Sequence, residues 1–152
     1  MTTLAAIRPA AWNLPLFLHV LGAVFTFGTV GAVALLSFAA LRRPPEQALV
    51  LRRIALWTGL AGVIPAFILM RVAAQLIADK EYPGNAKTPG WLAVGFIVTE
   101  PGALLVLVML ILAWLAARRP TFRGAAVVPW LASIYVVALA IAWFAMSAKP
   151  GS

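Results

Sequence analysis

The stretch 14–41, LPLFLHVLGAVFTFGTVGAVALLSFAAL, contains no charged residue and stops at Arg42-Arg43-Pro44-Pro45. A helix that crosses a hydrocarbon core of about 30 Å needs roughly 20 predominantly apolar residues, and this run exceeds that. A cleaved signal peptide would show a basic start and an apolar region of only about 7–15 residues. Here the apolar run is far longer and the strongest basic cluster follows it, so the segment reads as a retained helix. Consecutive prolines lack donors, and arginines seek the interface, which ends the helix at residue 41.

Three further runs meet the same length test. They span about 54–77, 91–117 and 127–146. Asp79-Lys80-Glu81-Tyr82-Pro83-Gly84-Asn85 closes the second and Arg118-Arg119-Pro120 closes the third. The fold class expected is all-α: a polytopic four-transmembrane-helix bundle forming one domain over residues 1–152. Composition agrees. Of the 152 residues 64% are apolar and 11% charged, with no cysteine, against about 25% charged in soluble domains. A soluble enzyme, a disordered tail and a nucleic-acid module are excluded, and so are disulfides, thiolate metal sites and cysteine lipid anchors.

The net charge of +8 is a topology signal. Arg42, Arg43, Arg52 and Arg53 fall between the first two helices, and Arg118, Arg119 and Arg123 between the last two. Cytoplasmic loops collect Lys and Arg, so these loops face the cytoplasm and both termini face outside, in a bilayer read as a bacterial inner membrane. Arg8 and Lys149 stand against this with one charge each. The middle loop balances Asp79 and Glu81 against Lys80 and Lys87. Trp12, Trp57, Trp91, Trp114, Trp130 and Trp143 mostly lie near segment ends, where an aromatic belt places them.

Charged residues at membrane depth cost about 2.5–3.5 kcal/mol each on insertion scales and by default mark function. Arg71 lies roughly 9 Å and Glu100 roughly 14 Å from the outer end of their antiparallel helices, at 1.5 Å per residue. An ion pair between them follows, and both are expected on interior faces. Arg71 shares a face with Leu60, Ile64 and Gln75; Glu100 shares one with Ala93, Leu104, Leu107 and Ile111. His19, the only histidine, lies at similar depth on a mildly polar stripe with Ala23, Thr26, Val30 and Ser37. The expected ligand- or ion-binding cluster is therefore His19, Arg71, Gln75 and Glu100. Met70 and Met146 fall in the same half and with His19 form a soft metal-ligand set. The competing bland readings are a structural Arg71–Glu100 clamp, a His19 that bonds a neighbouring helix, and methionines that fill space.

Pro65 and Pro101 each remove a backbone donor inside a helix, freeing the carbonyls of Ala61 and Ile97 and favouring kinks. Gly28 with Ala32, Thr58 with Gly62, and Gly62 with Ala66 are small-residue spacings that permit close helix approach.

The segment 18–28, LHVLGAVFTFG, resembles the first-helix signature of copper-resistance D-like membrane proteins and of a related group of four-helix integral membrane proteins with no assigned function. His19, Gly22 and Phe27-Gly28 carry the match, and Met146-Ser147-Ala148-Lys149-Pro150 is similar to the end of that group. The resemblance implies an outer-face histidine and a haem or copper cofactor. No second histidine is present to complete a bis-histidine haem in one chain. A haem would need a methionine, a single axial ligand, or His19 from each subunit of a dimer.

Three functions remain open: a non-enzymatic bundle that binds or transports a ligand, ion or proton at the polar cluster; a structural subunit that assembles with itself or a larger membrane complex; and a haem- or copper-handling protein using His19. No paired carboxylates, serine–histidine–acid set or HExxH helix supports hydrolysis. The partner expected in every case is the lipid bilayer, with no nucleic acid.

Overall fold

A computed structural model describes residues 13–81 and 89–148, and every element among them is helical. Helix α1 spans Asn13–Leu41 and α2 spans Pro45–Thr58. A π-helical segment, Gly59–Val63, joins α2 without a break to α3, Ile64–Glu81. Helix α4 spans Gly90–Arg118. A short 3₁₀ turn, Arg123–Ala126, leads into α5, Val128–Ala148. Four spans, Asn13–Leu41, Pro45–Lys80, Gly90–Arg118 and Arg123–Ala148, are long and apolar enough to cross a membrane.

The second span begins nine residues earlier than the apolar run suggests. The reason is local. Pro44 serves as N-cap and Pro45 occupies the first turn, where its fixed φ suits a helix and its missing N–H is no loss. Glu46 sits in that turn, favourably placed against the helix dipole. The connection therefore shrinks to residues 42–44, and Arg52 and Arg53 ride on the helix instead of in a loop. Arg52 Nη1 donates to the Pro120 carbonyl at 3.0 Å, tying α2 to the α4–α5 connection. The fourth helix starts one residue later than expected, and the third and fourth each end within two residues of the expected bounds. Arg8, Trp12, Lys87 and Lys149 lie outside the described residues.

Helices α1, α5 and α4 pack side by side. At the end that carries the arginines, α2 packs against both α1 and α4 and closes the ring. Alanines make this end tight: Ala40, Ala48, Ala55, Ala113, Ala116 and Ala125 are all buried, and small residues let helix backbones approach closely. At the opposite, terminal end, α3 stays against α1 but barely touches α4. The divergence begins where the π segment precedes Pro65. Ile64 N–H bonds back to the Gly59 carbonyl, which widens the helix one turn before the proline and absorbs its missing donor. Pro101, in contrast, lies inside an uninterrupted α4.

The core between these ends contains Val30, Val33, Val63, Met109, Ala132 and Tyr135, all essentially inaccessible. The outside is the reverse of a soluble protein, with Phe17, Phe25, Leu35, Trp57, Ile97, Leu104, Ile134 and Phe144 exposed. Tyr135 is 1% exposed, and its hydroxyl finds no hydrogen-bond partner among the described residues. A buried unsatisfied hydroxyl costs about 1–3 kcal/mol. Tyr135→Phe keeps the ring and removes the orphan group, so it should raise the thermal midpoint of the purified protein, by about 1 kcal/mol in stability. A lower midpoint would mean the hydroxyl has a partner.

Candidate functional site

The divergence of α3 from α4 leaves a cavity of about 390 Å³ in the terminal half, walled by all four spans. That volume lies in the range of small-molecule sites, about 300–1,000 Å³. Its wall is predominantly apolar: Ala23 and Phe27 of α1, Ala74 and Ile77 of α3, Trp91 and Val98 of α4, Leu139 and Ala142 of α5. The polar groups among its side chains are His19, Thr99, Ser147 and the indole N–H groups of Trp91 and Trp143.

His19 is positioned by a close approach of two backbones. One turn below it, Gly22 is pressed against α3. A Cβ on Gly22 would lie 2.5 Å from the Met70 nitrogen, 2.8 Å from its Cα and 2.9 Å from the Ala66 carbonyl oxygen. Only glycine permits this contact. It brings the His19 ring to Met70, where Nδ1 lies 3.0 Å from the Met70 carbonyl oxygen. A carbonyl only accepts, so Nδ1 carries the proton and donates. In the neutral ring Nε2 then holds a lone pair. Among the described residues, His19 shares the wall with the hydroxyls of Thr99 and Ser147 and the indoles of Trp91 and Trp143. Thr99 donates back to the Gly95 carbonyl at 2.9 Å, and Thr26 to that of Gly22 at 2.7 Å, so both hydroxyl protons are used within their own helices.

The sequence-derived cluster separates into two places. His19 lines the cavity with Met70 and Met146. Arg71, Gln75 and Glu100 do not line it. Arg71 Nη2 donates to Glu100 Oε1 at 2.7 Å across the gap between α3 and α4, and along α3 Arg71 Nη1 donates to Gln75 Oε1 at 2.8 Å and Gln75 Nε2 to Asp79 Oδ1 at 2.7 Å. The Arg71 guanidinium also lies 5.4 Å from the centre of the Phe96 ring, a cation–π distance.

The expected ion pair is made, but it is not buried. Its side chains are 27% and 59% exposed for Arg71 and Glu100. Of the faces assigned to the interior, Leu60 beside Arg71 and Leu104, Leu107 and Ile111 beside Glu100 lie on the outside of the bundle, while Ile64 packs against the core. A helix that is apolar all round has no polar stripe from which to read its inward face. On α1, where Thr26 and Ser37 supply such a stripe, both are buried as expected.

Thr99, which lies at a depth comparable to His19, lines the cavity, and so do Trp91 and Trp143, which the sequence marked only as members of an interfacial belt. Sequence reasoning also picked Gly28 as a close-approach glycine, although a Cβ there would meet nothing within 4 Å. Gly22, three residues from His19 and so on the same helix face, is the one that matters. Gly62 is used, facing Thr29 of α1.

No protein-family model, curated protein or solved structure matches this chain. The likeness to copper-resistance D-like proteins therefore rests on the quoted residues alone.

Proposed function

We propose that this protein is a non-enzymatic, multi-pass membrane protein that binds a small ligand in the terminal-half cavity, with His19 Nε2 as its polar anchor. The arginine-rich end faces the cytoplasm of a bacterial plasma membrane, by the positive-inside rule, and the cavity lies toward the outer leaflet. The observation that carries this reading is the His19–Met70 hydrogen bond. It uses one ring nitrogen for positioning and leaves the other for a ligand in the mostly apolar, partly open cavity that His19 lines.

A soft metal ion is the second reading, favoured by one specific arrangement. Met70 and Met146 share the cavity wall with His19. An imidazole whose Nδ1–H is held by a backbone carbonyl is the tautomer that metal-binding histidines present, and thioethers suit copper(I). Haem fits less well, because its two carboxylates would find no arginine or lysine on the wall among the described residues.

The test is a spectrum and metal analysis of the freshly purified protein, followed by copper(I) titration and tryptophan emission, since Trp91 and Trp143 line the cavity. Bound metal, an absorbing ligand or a saturable emission change is expected, and His19→Ala should remove it. Identical behaviour of wild type and His19→Ala would overturn the proposal.

A further inference from the structure

The cavity wall is not uniformly enclosed. Four of its lining residues are exposed to the outside of the bundle: Val20 and Val24 of α1, and Trp143 and Ser147 of α5. The first three are 50%, 51% and 61% exposed. None of the exposed lining residues belongs to α3 or α4. On that opposite side the gap is spanned by the Arg71–Glu100 pair and by Phe96, which stand outside the cavity. The cavity thus has an apolar mouth at the α1–α5 seam and a charged bar on the far side.

We propose that the ligand enters sideways from the hydrocarbon through the α1–α5 seam, and that it is a neutral, bilayer-dissolved molecule whose hydroxyl group donates to His19 Nε2. The inference rests on the cavity reading above and adds the route and the chemical class. Neutrality follows from a wall that carries no charged side chain among the described residues. The donor requirement follows from the tautomer. With Nδ1–H committed to Met70, Nε2 accepts, and a ligand offering only a carbonyl or ether oxygen would meet lone pair with lone pair. The route follows from the lips. Val20, Val24 and Trp143 present apolar surface that a lipid-dissolved molecule crosses without losing hydration, whereas an ion or sugar would not. A ligand already in lipid gains little from apolar burial. Its selectivity must come from the hydrogen bond, which hydrocarbon cannot supply. The indoles of Trp91 and Trp143 suit a flat ring, so a phenol is the class favoured.

The protein in lipid nanodiscs, titrated with nonylphenol and with its methyl ether nonylanisole, tests this through tryptophan emission. The phenol is expected to bind saturably and at least about tenfold more tightly than the ether. His19→Ala and the bulkier His19→Phe should both erase the preference. Val24→Trp and Val24→Phe, which fill the mouth, should slow phenol association at least severalfold. Equal binding of phenol and ether, with His19 still required for both, would overturn the hydroxyl assignment and leave the cavity reading standing. Unchanged association rates in both Val24 variants would overturn the lateral route. Binding of neither probe, while copper(I) still bound through His19, would overturn the ligand class alone. No His19-dependent binding of any probe would overturn the cavity reading with it.

Discussion

Gly22→Val is expected to lose about 3 kcal/mol of stability, the upper end of the range for overpacking a tight contact. The atoms a side chain would strike are backbone atoms of Met70 and Ala66, which cannot rotate aside as a side chain can. Helices α1 and α3 would have to separate, and the His19–Met70 hydrogen bond would go with the contact. The variant should therefore show two coupled losses: a lower thermal midpoint in detergent and loss of any His19-dependent ligand signal. Gly28→Ala is the matched control. It adds a methyl where nothing lies within 4 Å and replaces glycine by the best helix former, so its midpoint should hold or rise. If Gly22→Val were as stable as Gly28→Ala, the close α1–α3 approach would not exist as described.

The second large effect is at the charged bar. Arg71 and Glu100 form a 2.7 Å ion pair on the outside of the bundle. In the proposed membrane setting that outside is lipid, not water, so the exposure does not imply solvent screening. Arg71→Ala or Glu100→Ala would leave the other charge unpaired at a depth where insertion scales assign about 2.5–3.5 kcal/mol per charge. Each single variant should lose about 2 kcal/mol or more, and the double variant should recover part of that loss. The expected coupling is about 1–3 kcal/mol, within the range for groups in direct contact. Additive losses would show that the pair does not hold α3 to α4. Because neither side chain lines the cavity, a His19-dependent ligand signal should survive in the double variant as long as the fold does.

The four spans were legible because length and apolarity are properties of the sequence itself, and a membrane's thickness turns them directly into helices. The Arg71–Glu100 pair was legible for a related reason: antiparallel helices place two residues at matching depths whatever their rotation. Rotation was not legible. Apart from Thr99, the neighbours of Glu100 along α4 are apolar on every face (Phe96, Ile97, Ala103 and Leu104 among them), so little in α4 distinguishes an outward-facing carboxylate from a core one. The start of α2 was hidden by Arg52 and Arg53, whose charge resembles a loop until the prolines at 44 and 45 are read as a helix cap. The cavity is harder still. It depends on α3 leaning away from α4 above a π segment, a feature that the Pro65 position hints at but does not specify. His19 was visible as a lone polar residue. Its partner, a backbone carbonyl 51 residues away, has no signature in sequence at all.

The central claim is that His19 is held on Met70 through Nδ1 and presents Nε2 to the cavity. With only one histidine in the chain, ¹⁵N labelling of histidine gives a nitrogen NMR spectrum of a single ring. Recorded in lipid with the ring neutral, it should show a protonated Nδ1 and a bare Nε2, and the bias should disappear in Gly22→Val. A protonated Nε2 with a bare Nδ1, or an unbiased mixture of the two tautomers in the wild-type protein, would contradict the account.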